Sequence, residues 1–160
     1  MARRVFFSFH YEKDAWRAGQ VRNSGYTKSS FEEAGFIDAA DWESIKRYGD
    51  NAIRQWINSQ LDGTSVTVVL IGSETANREW VMYEIQQSAM RGNGLLGIYI
   101  HNVKDMLGQI SYQGRNPFDL LRFSNGYPFS SYFRTYDWVM NNGYQNFPTW
   151  VEQAAYVVGR

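Results

Sequence analysis

The stretch "VTVVLIGSETANREWVMYEIQQSAMRGNGLLGIYIH", residues 66–101, contains two apolar runs joined by a more polar segment. The runs, 66–72 and 95–101, are almost continuously apolar, which is typical of strands that are covered on both faces of a parallel sheet. The segment between them, 77–91, places apolar residues at helical spacing. The stretch therefore predicts a β-α-β unit, the building block of parallel α/β folds.

Polar and glycine residues mark the expected ends of the helices. Asn77 is suited to cap the helix at 77–91, and Gly92 is suited to end it. Upstream, "GDNAIRQWINSQLDG" predicts a second helix, with Asp50 as its cap and Gly63 as its terminator.

The rest of the chain extends the same alternation of strands and helices. "RVFFSF" at 4–9 predicts a first strand, "GFIDAADW" at 35–42 a short second strand, and "YFRTYDWV" at 132–139 an edge or final strand. Residues 108–131 are aperiodic and rich in Gly, Ser, Asn and Pro, which indicates an ordered loop. A closing helix with Pro148 in its first turn is expected to follow. The predicted class is α/β, with helices on both faces of a mainly parallel central sheet.

The amino-acid composition limits the classes of function that the chain can have. A chain of 160 residues fits one domain spanning 1–160. Sixteen basic and sixteen acidic residues cancel, so no global charge attracts nucleic acid or a membrane surface. The absence of cysteine excludes disulfides and thiolate chemistry and fits a cytoplasmic location. Two histidines without cysteine offer too few ligands for a structural zinc site, so we expect no metal.

Common nucleotide-binding and hydrolase motifs do not account for the chain. "GNGLLG" at 92–97 has the letters of a dinucleotide fingerprint, but it ends a helix and enters a strand, which is the reverse of the required order. The sequence contains neither a Gly-Lys pair of a P-loop nor a G-x-S-x-G nucleophile elbow. Phosphate-loop and serine-hydrolase chemistry are therefore not supported.

Polar and aromatic residues follow the ends of the predicted strands. In a parallel sheet the carboxyl ends of the strands share one edge, where open α/β folds bind ligands. Each histidine there could instead satisfy only backbone groups, which is the commoner role of polar residues at strand ends. The residues expected to meet at this edge are Ser8, Phe9, His10, Ser73, Glu74, His101 and the helix that carries Trp80 and Glu84.

Glu84 is the strongest candidate for chemistry at this edge. A helical glutamate is usually a solvated surface residue. Glu84, however, lies in a helix that starts at the predicted ligand edge, four residues after Trp80 and on the same face. A carboxylate beside an aromatic wall at the mouth of a cleft is a candidate functional group.

Several long segments together resemble a known family. "RVFFSFH", "GDNAIRQWI", "TSVTVVLIGSETANREWVMYEI", "GLLGIYIHNVKD", "NPF" and "YDWV" resemble the ThsB-like, TIR-like proteins of the Thoeris anti-phage defence system. The resemblance covers nearly the whole chain and implies a flavodoxin-like, TIR-like three-layer sandwich. The spacing from Trp80 to Glu84 is also similar to the W-x-x-x-E of TIR domains, in which the glutamate is catalytic.

The resemblance implies an enzyme that needs no cofactor and consumes NAD⁺ as its substrate. It would break the bond between nicotinamide and ribose at Glu84 and release a cyclic ADP-ribose isomer, which activates a partner effector. Substrate binding would fall to Ser8, Phe9, His10, Ser73 and Trp80, with Trp42 as a further aromatic wall. A phage-derived trigger and self-association also belong to this reading, and no nucleic acid or membrane is involved.

A non-catalytic function remains as the alternative. The chain could be a TIR-type scaffold or a flavodoxin-like signalling module that acts through protein contacts. A receiver module would cluster acidic residues at the end of its first strand, where this chain has Ser8, Phe9 and His10.

Overall fold

A computed structural model describes residues 3–24 and 31–160. Its centre is a sheet of five parallel strands in the order β2-β1-β3-β4-β5. The strands are β1 (Arg3–Ser8), β2 (Phe31–Ala34), β3 (Val66–Ile71), β4 (Gly94–Tyr99) and β5 (Thr135–Asp137). The predicted α/β class with a parallel, flavodoxin-like sheet is confirmed.

Five α-helices cover the sheet in the described part of the chain. They are α1 (Ala15–Arg22), α2 (Ala39–Arg47), α3 (Asp50–Leu61), α4 (Glu79–Met90) and α5 (Gly143–Val157). None of them is long and apolar enough to cross a membrane. The predicted loop at 108–131 contains two short 3₁₀ turns, Pro117–Leu120 and Phe129–Ser131.

Alternate side chains of the strands enter opposite cores, which produces three layers. Val66, Val68 and Leu70 of β3 join a core formed with α1 and α5. Val69 and Ile71 point the other way and pack with α4. Phe6 of β1, on that same face, packs with α2 and α3. Since both faces of the sheet are buried, its central strands read as continuous apolar runs.

The second strand lies earlier than predicted. It forms at Phe31–Ala34, whereas the sequence pattern placed it within 35–42. Gly35 follows with φ +90, and a Cβ there would lie 2.4 Å from the carbonyl oxygen of Phe7, so the chain turns at a close backbone approach. The side chain of Asp38 then accepts a hydrogen bond from the Asp41 N–H and starts α2. Residues 25–30 lie outside the described residues.

Three helix starts also differ from the predictions. Asn77 ends a 3₁₀ turn, and α4 begins at Glu79 after an extended Arg78. Gly49 occupies the N-cap of α3, so Asp50 is its first helical residue, where a carboxylate favours the helix dipole. Pro148 lies in the interior of α5, which starts five residues earlier at Gly143.

Candidate functional site

A carboxylate is enclosed where the end of β1 meets α4. Ser8, the last residue of β1, donates a hydrogen bond from Oγ to Oε1 of Glu84 at 2.7 Å. The hydroxyl of Tyr11 donates to Oε2 at 2.9 Å. Glu84 is 0% exposed. The predicted neighbourhood of Ser8 and Glu84 therefore exists, and each carboxylate oxygen has a hydroxyl donor.

Glu84 faces inward because it belongs to the buried stripe of α4. The buried residues of this helix are Val81, Glu84, Ile85 and Ser88, at the i, i+3, i+4, i+7 spacing of one helix face. The sequence pattern alone did not predict this burial, since a charged residue is normally excluded from a core. Ser88 fixes the same face, because its hydroxyl donates to the Glu84 carbonyl oxygen and lies 2.7 Å from Oγ1 of Thr67 on β3.

Burial dominates the electrostatics of the site. It raises the pKa of Glu84 from 4.5 to about 8, although the hydrogen bonds from Ser8 and Tyr11 act to lower it. Among the described residues no cationic side chain forms an ion pair with Glu84. Desolvation and the nearby carboxylate also raise the pKa of Tyr11 well above its ordinary value, so Tyr11 stays protonated. A buried acid without a cation is costly, and such groups cluster at functional sites.

Aromatic rings surround Tyr11 and close the site toward the sheet and α2. The ring of Tyr11 lies 4.6 Å from Phe9, 4.8 Å from Trp42 and 5.7 Å from Trp56, between ring centroids. The ring of Trp80, by contrast, contacts Tyr83 at 5.8 Å and the guanidinium of Arg54 at 5.6 Å. Of the three predicted wall residues, Phe9 and Trp42 pack around Tyr11 together with Trp56. Trp80, four residues before Glu84 near the start of α4, has its ring contacts with Tyr83 and Arg54 instead.

Ion pairs hold the loop that carries Tyr11 over the site. Nζ of Lys13 lies 2.6 Å from Oε2 of Glu74, and Glu74 belongs to the loop after β3. Glu12 contacts Arg78 at 3.0 Å and Lys46 of α2 at 3.3 Å. We name residues 9–14 the β1 loop. It is linked on two sides to the elements around Glu84, and the loop is closed over this carboxyl group, which is buried.

The other predicted residues reach the same edge without contacting the Glu84 carboxylate. His10 is buried, its Nδ1 accepts a hydrogen bond from the Lys13 N–H at 3.1 Å, and burial lowers its pKa. Ser73 is half-buried in the loop after β3. His101 lies beyond β4, with Nε2 3.8 Å from Oδ2 of Asp137.

The first helix contributes structure at this edge. Arg17 is buried and donates to the carbonyl oxygens of Val103 at 2.7 Å and Gln109 at 3.0 Å. Arg22 is exposed and pairs with Glu33 at 2.8 Å. In residues 3–24 and 31–160, no group of three or more His, Asp or Glu side chains is arranged to hold a metal ion.

Sequence reasoning missed Tyr11 and Trp56 as site residues. Tyr11 lies three positions after Ser8 in the same strand-end loop, so the rule that nominated Ser8 and His10 could also have included it. Trp56 is part of the apolar stripe of α3, and its spacing alone indicates packing.

The parallel sheet, its helical layers and the acid at the carboxyl edge define an α/β protein of flavodoxin-like architecture. Comparison with known sequences identifies the family within this class. The family described as "Thoeris protein ThsB, TIR-like domain" matches residues 6–105. A Bacillus cereus (strain MSX-D12) protein named "Putative cyclic ADP-D-ribose synthase ThsB1" is 40% identical over 191 aligned residues, which cover 94% of this chain and 100% of that protein. The chain belongs to the Thoeris ThsB family of TIR-like proteins, as its sequence motifs predicted.

Proposed function

We propose that this protein cleaves NAD⁺ at the bond between nicotinamide and ribose and closes the remaining ADP-ribose into a cyclic isomer. The observation that carries the proposal is Glu84, a fully buried carboxyl group at the ligand edge with one hydroxyl donor on each oxygen. The name of the Bacillus cereus relative, a cyclic ADP-ribose synthase, supports the same reaction. NAD⁺ is the substrate, and the reaction needs no cofactor.

The first chemical step suits a single carboxylate. When the bond between C1′ and the pyridinium nitrogen breaks, its electron pair leaves with nicotinamide, which departs as a neutral molecule and needs no general acid. Positive charge develops on C1′ and on the ribose ring oxygen. An ionised Glu84 facing that charge stabilises the transition state more than the ground state.

Ring closure requires a second nucleophile from the same molecule. That group attacks C1′ and loses one proton, which the carboxylate of Glu84 can accept, so the products are a cyclic ADP-ribose, nicotinamide and a proton. Water must be kept away during this step, because its attack on C1′ would give linear ADP-ribose. The aromatic wall of Phe9, Trp42 and Trp56 beside Tyr11 supports such exclusion.

The other predicted residues are assigned to substrate binding within the same proposal. Ser8 orients the carboxylate and contacts the ribose, His10 and Ser73 offer polar groups to the pyrophosphate, and Phe9 and Trp80 offer rings to the bases. Access of NAD⁺ to Glu84 requires that the β1 loop moves, since Glu84 is 0% exposed when the loop covers it.

Substrate binding would also change the ionisation of Glu84. With a pKa of about 8, the carboxyl group of the closed protein is largely neutral at pH 7. The nicotinamide ring of NAD⁺ carries a positive charge, and an opposite charge within about 4–6 Å favours the ionised carboxylate. Binding of NAD⁺ would therefore favour the ionised form of Glu84, which is the form that the reaction requires.

The wider role follows the family. We propose that residues 1–160 act as one TIR-like domain in the cytoplasm. The cyclic product would serve as a second messenger that activates a separate effector, and a phage-derived trigger or self-association would control the enzyme. Neither nucleic acid nor a membrane takes part.

The test is nicotinamide release from NAD⁺, measured by chromatography with mass analysis of the second product. Wild type should release nicotinamide and form a cyclic ADP-ribose isomer, and Glu84→Gln should lose both activities. Glu79→Gln is the matched control, because Glu79 is an exposed glutamate in the first turn of the same helix. The assay should use both purified protein and extracts of phage-infected cells that express each variant. Equal turnover in wild type and Glu84→Gln would remove Glu84 from the mechanism.

The alternative is a scaffold that acts by protein contacts alone. The complete enclosure of Glu84 favours it, because a buried acid can also serve as a structural hydrogen-bond acceptor. A scaffold would release no nicotinamide in infected-cell extracts and would protect cells against phage equally well with Glu84→Gln.

A further inference from the structure

A cavity lies at the end of the sheet opposite Glu84. It has a volume of about 740 Å³ and is lined by the first residue of β1, Arg3, and by Leu95 and Leu96 near the start of β4. Strand β5 pairs only with Gly97–Tyr99, so the first half of β4 has no strand on this side. Side chains of α5 and of 132–136 enclose the space. Its volume falls within the range of about 300–1,000 Å³ that is common for small-molecule sites.

The charged side chains of the cavity leave an excess of positive charge. Three arginines line it, Arg3, Arg134 and Arg160, together with one carboxylate side chain, Glu152. Arg3 and Glu152 neutralise each other through two contacts of 2.8 and 3.0 Å. Nη2 of Arg160 donates a hydrogen bond to the carbonyl oxygen of Arg91 at 2.6 Å. Arg134 is exposed, and its guanidinium has no side-chain hydrogen bond or ion pair within the described residues.

Aromatic rings form the wall and the rim of the same cavity. Trp150 and Tyr136 stack at 4.1 Å between centroids with an interplanar angle of 7°, which makes a flat and rigid wall. Tyr132 is fixed at the rim because its hydroxyl donates to the carbonyl oxygen of Val157 at 3.1 Å. Tyr156, also at the rim, is 85% exposed, so its ring is accessible to a ligand.

Guanidinium groups beside accessible rings suit a ligand that is anionic at one end and flat at the other. Arginine binds phosphate through paired N–H donors, and an aromatic ring stacks on a nucleobase. We propose that this cavity is a second nucleotide site, in which Arg134 and Arg160 hold a phosphate and the rim tyrosines contact the base. The site is separate from the Glu84 carboxylate, and the proposal does not depend on the NAD⁺ reaction.

The probes for the test are AMP and inorganic phosphate on the full chain. Titration calorimetry gives the affinity, and hydrogen exchange locates the binding. AMP should slow amide exchange in 131–137 and 148–158, and it should bind at least about tenfold more tightly than phosphate alone, because stacking adds to the phosphate contact.

Variants at the rim separate this site from the Glu84 edge. Arg134→Glu should weaken AMP binding by about tenfold or more, since it removes a charge-assisted contact and adds repulsion. Tyr156→Ala should weaken AMP binding but not phosphate binding. Arg122→Glu is the control, because it makes the same charge change at an exposed arginine that does not line the cavity.

Three results would overturn the proposal. AMP protection confined to segments around 8–12 and 79–90 would assign binding to the Glu84 edge. Equal affinity for AMP and phosphate would mean that the cavity binds only an anion and that the base makes no contact. Unchanged AMP binding in Arg134→Glu, with an unfolding temperature equal to that of wild type, would exclude the cavity.

Discussion

The hydroxyl of Tyr11 lies 2.9 Å from Oε2 of Glu84 and donates a hydrogen bond to it. Tyr11 belongs to the β1 loop and Glu84 to α4, so this bond joins a surface loop to a buried acid. Ser8 is the second donor, and its hydroxyl donates to the other carboxylate oxygen, Oε1. The position of the loop and the ionisation of the acid are therefore coupled.

Removing this hydroxyl should impair the enzyme by making Glu84 harder to ionise. Tyr11→Phe deletes one of the two donors and keeps the ring among its aromatic neighbours. A hydrogen bond to a charged group contributes roughly 1.5–3 kcal/mol, so the pKa of Glu84 should rise by about one to two units. We expect kcat/KM for NAD⁺ at pH 7 to fall by about tenfold or more. Tyr83→Phe is the control, because that hydroxyl bonds Asn58 instead. Equal losses in the two variants would argue against a specific role for Tyr11.

The rate of NAD⁺ cleavage should depend on pH in two distinguishable ways. The profile of kcat/KM reports the free enzyme and should rise with pH through a limb near 8, where Glu84 ionises. The profile of kcat reports the enzyme with bound NAD⁺, and its limb should lie at lower pH because the substrate cation favours the carboxylate. Initial rates from pH 5.5 to 9.5 test this. Coincident limbs would mean that the substrate charge does not reach Glu84.

Much of the sheet was predictable because its central strands are buried on both faces. β1, β3 and β4 read as apolar runs, and the predicted ends agree within two residues. β2 was misplaced because its sequence, "FEEA", is half polar and buries only its two ends, as an edge strand can. Its limits depend on the close approach of Gly35 to Phe7, which no local pattern reveals.

The part of the site that follows from the sheet topology was predictable from the sequence. Ser8 and Glu84 come together because parallel strands end at one edge and the following helix starts there. The burial of Glu84 was not predictable, since hydrophobic patterning assigns a glutamate to solvent. The contact from Tyr11 depends on how the β1 loop folds back, and that path is held by ion pairs between residues 34 and 66 positions apart in sequence.

The raised pKa of Glu84 should make the protein less stable as pH increases. Between pH 4.5, the unfolded value, and about 8 the folded chain binds this proton more tightly than the unfolded chain, so a higher pH favours unfolding. The contribution of the protonated Glu84 to the free energy of unfolding is thus complete below pH 4.5 and lost above pH 8. The free energy of unfolding changes by a few kcal/mol over this range. Glu84→Gln is neutral at every pH and should unfold at a higher temperature than wild type at pH 9. The gap should shrink toward pH 5, and a gap independent of pH would contradict the shift. Glu79→Gln controls for the loss of an exposed carboxylate.

Loosening the β1 loop should speed access to the site. Glu12 links this loop to Arg78 at 3.0 Å and to Lys46 at 3.3 Å, and Glu12→Gln removes both ion pairs without touching Glu84. Exposed pairs contribute up to about 1 kcal/mol each, so removing two of them should raise the population of the open conformation by at most about thirtyfold. If opening limits NAD⁺ entry, kcat/KM should rise about two- to fivefold, and amides in 9–14 should exchange faster.

Salt offers an independent check on the same loop. Added salt screens exposed ion pairs, so wild type should approach the rate of Glu12→Gln as ionic strength rises, while the variant should respond less. Asp62→Asn is the matched control, because Asp62 forms a comparable surface pair with Arg91 at 2.7 Å that does not involve the loop. A lower kcat/KM in Glu12→Gln, with faster exchange in 9–14, would mean that the closed loop is needed for chemistry and that entry is not limiting.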